Sequence, residues 1–200
     1  MGSTKFSLLS LLPLIIMIVS CSTNNQSEIM RKKFEAYFKT LNDHKIEKSL
    51  SFLSDDFHLH FTEYDFTIDK SGLINVLGWD KGVNGKVSYE NLIVEEDSIT
   101  GVFTERNDFF KLVGIEELKA TSTYTFDRSG MIVKQTYTPL LNQPSFQDKM
   151  QPAIEWARRN RLGELNEIYP QNQMQFNQEM AERWMTLLKE WKTATQPVRE

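Results

Sequence analysis

The sequence predicts an α+β domain in which helices cover one face of a curved antiparallel sheet, followed by a helical C-terminal extension. Three observations carry that prediction. Apolar residues recur at intervals of three and four from Met30 to Leu41, the period drops to two from Phe57 through the 130s, and the helical period returns after Pro152. Two helices, a strand, a helix, a run of strands and a helical tail make two packed layers around one core.

The first twenty residues carry one charge, Lys5, then an apolar run from Phe6 to Val19 and, just after, Cys21. That is a signal-peptide pattern, and the run is short of the ~20 residues a spanning helix needs. The stretch Ile-Val-Ser-Cys resembles the lipobox of bacterial lipoproteins, which implies cleavage before Cys21 and lipidation of its thiol. An ordinary secretory signal followed by an unmodified cysteine is the other reading. Ser22 rather than Asp follows the cysteine, and by resemblance to Gram-negative sorting this implies an outer-membrane anchor facing the periplasm. The chain then divides into a signal segment (1–20), a polar tether (21–27), an α+β domain (28–140) and the helical extension (141–200).

Within the domain, Met30, Phe34, Tyr37, Phe38 and Leu41 form one stripe of an amphipathic helix. Asp43 is placed to cap a second helix carrying Ile46, Leu50 and Leu53. Phe57, Leu59 and Phe61 alternate with His58, His60 and Thr62, as a strand with one buried face requires. Asp69 can cap a short helix with Leu73, Ile74 and Leu77 inward. Strands are expected over KVSYENLIV, ITGVFTERNDFFKLV, LKATSTYTF and MIVKQTYTPL, separated by EEDS, GIEE and DRSG turns. Pro152 suits a first helical position, and Asn177 can cap a last helix with Met180, Trp184, Leu187, Leu188 and Trp191 on one side.

Composition narrows the function classes. Of 200 residues, 23 are Lys or Arg and 27 Asp or Glu, and a mildly acidic chain lacks the basic excess of a phosphate-backbone binder, so nucleic acid is not an expected partner. With Cys21 the one cysteine, no disulfide is available and stability must come from packing. No cofactor is called for. His58 and His60 form a His-x-His pair, but no His/Cys cluster supplies a third ligand, so they read as polar residues opposite the core face and no metal is expected.

The order of elements, with FLSDDFHLHF after paired helices and a strand meander containing Gly130-x-Ile132, resembles the SnoaL-like branch of the nuclear transport factor 2 (NTF2) superfamily. The resemblance implies a cone-shaped fold with a pocket on the concave sheet face. Thr-Glu-Arg-x-Asp in VFTERNDFF looks like the limonene-epoxide-hydrolase branch, which implies a role for Arg106 and Asp108 in polarising an epoxide and positioning water. Tyr137 stands where that branch has its second acid, and His-Leu-His-Phe replaces its Tyr-x-Asn, so one of two carboxylates is missing. By strand alternation Val102, Thr104, Arg106, Asp108 and Phe110 share a face, and Arg106 and Asp108 can pair.

Thr104, Arg106, Asp108 and Phe110 are therefore the expected ligand-contacting residues, and Arg106, Asp108 and Tyr137 the candidates for chemistry. The leading expectation is a lipid-anchored envelope protein whose pocket binds a small apolar or amphipathic ligand, or which acts as a scaffold. The alternative is an enzyme of hydratase, isomerase or epoxide-hydrolase type using Arg106 and Asp108. Expected partners are the membrane through Cys21, the small ligand, and a second copy of the chain, since Lys119, Thr121, Thr123 and Thr125 give one sheet face a polar surface that is either solvated or a dimer contact.

Overall fold

A computed structural model describes residues 12–195, with side-chain surroundings from residue 26 onward. The side chain of Cys21 and all side chains of the signal segment lie outside the described residues. The first helix, α1, runs Leu12–Asn42, so residues 21–27, expected as a tether, continue its backbone. No Gly or Pro occurs between Pro13 and Gly72 to interrupt it. Met30, Phe34, Tyr37 and Phe38 are buried on the expected stripe.

Helix α2 covers Ile46–Leu50, with Lys45 rather than Asp43 in the capping position and no side-chain cap; the Asp43 carboxylate instead pairs with Lys45 Nζ at 3.0 Å. Leu53 belongs not to this helix but to strand β1, Leu53–Phe61. A short strand β2, Phe66–Asp69, returns beside it. Helix α3, Lys70–Gly82, is capped by Asp69, which accepts from Gly72 N at 2.8 Å. Leu73 and Leu77 are buried as expected, whereas Ile74 is 45% exposed. The buried stripe of α3 advances from Leu77 to Asp80 instead.

Strands β3 (Lys86–Val94) and β4 (Ser98–Arg106) form an antiparallel pair. The charged strand expected to run through VFTERNDFF ends at Arg106. Asn107 accepts a hydrogen bond from Phe110 N at 2.7 Å and caps a helix, α4, over Asp108–Val113, which Gly114 closes at φ 78°. The alternation that put Arg106, Asp108 and Phe110 on one face therefore stops after Arg106. Strands β5 (Leu118–Phe126) and β6 (Ile132–Pro139) follow, joined by a turn in which Gly130 takes φ 76° and Asp127 accepts from Ser129 N and Met131 N.

The six strands lie in the order β2-β1-β6-β5-β4-β3. All neighbours are antiparallel except β1 and β6, which run parallel with Leu59 beside Gln135 and Phe61 beside Tyr137. Ala120, Ser122, Tyr124 and Phe126 of β5 are buried on the inner face, while Thr121, Thr123 and Thr125 are half-buried on the outer face.

The extension is helical. Helix α5 spans Phe146–Asn160, and its cap is Ser145, whose hydroxyl accepts from Asp148 N at 3.2 Å. Pro152 thus sits inside α5 rather than at its start, on an exposed position. Helix α6 (Leu162–Ile168), one 3-10 turn at Pro170–Asn172 and helix α7 (Gln178–Thr195) complete the chain. Asn177 caps α7 as expected, accepting from Met180 N at 2.9 Å.

Two apolar clusters result. One joins α1 to the concave face through Phe34, Phe38, Phe57, Ile99, Phe103 and Phe126. The other packs α5, α6 and α7 on α3 and α4, with Trp79, Phe109 and Trp184 at its centre. Among the described residues no helix is long and apolar enough to cross a membrane.

Candidate functional site

Between α1, α3, the inner face of the sheet and the helical extension lies a cavity of about 1280 Å³, lined also by the β1–β2 hairpin and the segment after β6. It exists because the inner face of β5 is too small to fill the space. Ala120 lies beside Phe103 and Ser122 beside Tyr137, so large side chains on β4 and β6 stand either side of a furrow. Tyr37, Phe38, Leu59, Phe61, Phe103 and Tyr124 give it largely apolar walls.

Three carboxyl groups line this cavity: Glu63, exposed on the β1–β2 hairpin, and two enclosed ones, Asp80 from α3 and Glu105 from β4. Helical spacing brings Asp80 inward, since it follows Leu73 and Leu77 on the buried stripe. Strand alternation brings Glu105 inward beside Phe103, while Thr104 and Arg106 point to the opposite face. Both are half-buried in the sense that the cavity reaches them, yet protein encloses them on every other side. Burial pushes the Asp80 carboxyl well above the usual carboxylate range, and the neighbouring Glu105 charge adds to the rise. Burial raises Glu105 too, opposed by a hydrogen bond donated by Asn107 Nδ2 to its Oε1 at 2.8 Å. Among the described residues no Lys, Arg or His forms an ion pair with either group.

Three phenols complete the polar part of the site. Tyr37 is raised by burial and then by the Asp80 charge, and Tyr124 chiefly by burial, with Tyr37 adding to it. Tyr137 is pushed up to about 12 by burial and by the Glu105 charge. All three are neutral donors at physiological pH. The arrangement can hold a proton on one carboxyl while the other is ionised, because two acids that oppose each other's charge in a buried place do not both give up their protons readily.

Of the residues singled out from sequence, Tyr137 lines the cavity. Arg106 is 53% exposed and paired with Glu117 on the surface. Asp108 is bound to Lys111 Nζ at 3.0 Å and to Asn84 Nδ2 at 3.2 Å on the outside of α4, and the expected Arg106–Asp108 pair does not form. Thr104 is buried on the opposite side of β4 from Glu105, and Phe110 packs against Phe146 in the C-terminal cluster. His58 and His60 lie on the outer face of β1, where His60 Nδ1 is 3.1 Å from Thr67 Oγ1. Among the described residues no group of three metal-ligating side chains comes together.

Sequence reasoning missed Asp80 and Glu105. The signal was present for both: a carboxylate at the next inward position after Leu73 and Leu77, and a second on the aromatic face of β4.

No family model matches this sequence, and no curated protein matches it. Solved structures do. A candidate SnoaL-like polyketide cyclase from Shewanella denitrificans is 16% identical, with a TM-score of 0.50 over 62% of this chain and 97% of that one. The fold is NTF2-like. A candidate ketosteroid isomerase from Kribbella flavida (16% identity, TM-score 0.48, 58% of this chain and 82% of that one) and an NTF2-like protein of unknown function from Cytophaga hutchinsonii (11%, 0.45, 56% and 89%) superpose less closely. The Shewanella match leaves over a third of this chain unmatched, so the NTF2-like part of the molecule carries additional structure.

Proposed function

We propose that this chain is an envelope lipoprotein that takes a small, largely apolar ligand into its NTF2-like cavity, with the Asp80–Glu105 pair as the polar end of the site. The observation that carries this is the pair itself. Two acids without a cationic partner are retained on the wall of an apolar cavity, where enclosing them is costly. A solid core would replace them by apolar groups. The lipobox-like Ile-Val-Ser-Cys supports tethering through Cys21, with the cavity presented to the periplasm from the outer membrane. Mass spectrometry of the natively purified chain tests the pocket: a small molecule retained by the wild type and lost from a chain carrying Ala120→Phe, which fills the furrow, is the expected result. Retention by both chains would remove the cavity as the binding site.

A second reading rests on the raised carboxyls beside neutral phenols. A protonated acid next to an ionised one can give a proton at one atom of a small substrate and take one from another, as an isomerase or dehydratase requires. In that case Asp80, Glu105 and Tyr137 carry the chemistry rather than Arg106 and Asp108. Exchange of solvent deuterium into cyclohexanone, catalysed by the wild type and absent from Glu105→Gln, would favour it; equal rates in both would dismiss it.

A further inference from the structure

The charge of the cavity wall is one-sided. Among the described residues no Lys or Arg lines the cavity, whereas Glu63, Asp80 and Glu105 do. Among the described residues the one basic side chain on the wall is His44. Burial and the neighbouring Lys86 ammonium, whose Nζ is 3.3 Å from His44 Nε2, hold its pKa below the ordinary value, which keeps it neutral at physiological pH. Lys86 is not among the lining residues; its ammonium donates to the Asn42 carbonyl behind His44. A ligand carrying a carboxylate or phosphate would meet acids and no compensating cation.

The same wall is rich in aromatic rings. Tyr37, Phe38, Phe61, Phe103, Tyr124 and Tyr137 all face the space, and Phe38, Phe103 and Tyr124 stand 5.3 to 5.5 Å apart, centre to centre. Ring faces attract a cation, most strongly where water is excluded, and a carboxylate gives an ammonium a charge-assisted hydrogen bond. A neutral ligand would use the rings but leave the two acids unpaired.

From the one-sided charge and the aromatic walls together we infer that the cavity is a site for an apolar amine bound as its cation, the ammonium against Asp80 and Glu105 and the hydrocarbon body among the rings. This rests on the pocket function proposed above and names its ligand class. The ammonium supplies the counter-charge the two acids lack, and occupation ionises the pair, so binding releases a proton to solvent.

The test uses three compounds sharing one body, 3-phenylpropylamine, 3-phenylpropan-1-ol and 3-phenylpropanoate, titrated calorimetrically into the full chain in lipid nanodiscs with empty nanodiscs subtracted. The amine is expected to bind about tenfold or more tighter than the alcohol, and the carboxylate weakest. In the double variant Asp80→Asn with Glu105→Gln, the amine should fall to the affinity of the alcohol while the alcohol is unchanged. An alcohol that binds as well as the amine, or a variant that keeps the amine preference, overturns the cation site and leaves the pocket standing. Failure of all three compounds to bind overturns both. The ranking on the unsubstituted chain decides the matter even if the variant does not fold.

Discussion

Glu105 and Arg106 are adjacent in sequence and opposite in consequence. One faces an enclosed cavity and the other water, so substitutions at the two should behave differently. Because Glu105 and Asp80 are raised in the folded protein, the native state binds more protons than the unfolded chain between the unfolded carboxyl values of about 4 and the raised native ones. Their contribution to stability is therefore fully present below about pH 4 and is lost as pH climbs through the native values. Glu105→Gln should consequently raise the melting temperature more at pH 8 than at pH 5, a difference that thermal denaturation at the two pH values will read; an equal shift at both would mean that Glu105 ionises normally. Arg106→Met removes only an exposed ion pair to Glu117, so its cost should stay below about 1 kcal/mol, with retention of the natively bound molecule unchanged. A loss of several kcal/mol in denaturant unfolding would contradict that placement.

At the scale of elements, the contact between α3 and α7 is close enough to exclude a methyl group. A Cβ built on Gly82 would lie 2.6 Å from Ala181 Cβ and 3.0 Å from the Gln178 carbonyl oxygen. Gly82→Ala should therefore push α7 off α3 and cost about 1–3 kcal/mol by overpacking. Gly163→Ala, where no atom lies within 4 Å, serves as the neutral control; equal stability of the two variants would show that α7 is not seated on α3.

Most of these elements were legible in the sequence because their periods are local: the α1 stripe, the Asp69 and Asn177 caps and strands β3, β5 and β6 each depend on residues a few positions apart. The end of β4 was not. Phe109 and Phe110 suit a strand as well as a helix, and only the Asn107 cap decides between them. The site failed for a related reason. Reading β4 as straight through Asp108 drew attention to its even-numbered face, whereas the cavity is set by the odd one and by a helix whose orientation over the sheet no single segment encodes. The parallel pairing of β1 with β6 was equally hidden, since register between distant strands is a tertiary property.

For the whole molecule, the lipid anchor proposed at Cys21 would fix where the cavity is displayed. Cys21→Ala should abolish lipid attachment and signal cleavage, leaving a larger precursor visible by intact-mass measurement. Normal processing and unchanged membrane retention of that variant would refute the lipid anchor.

The strand order also has a kinetic consequence. Only β6 joins β1 and β2 to the other three strands. A chain emerging from the ribosome thus holds two separate fragments, β1–β2 and β3–β4–β5, until residues 132–139 appear between them. Closing a sheet through contacts this distant in sequence is slow, and α7, which completes the second core, arrives later still. The chain should remain unfolded and threadable for most of its synthesis, and a nascent chain stalled after Phe126 should be as protease-sensitive as one stalled after Asp69.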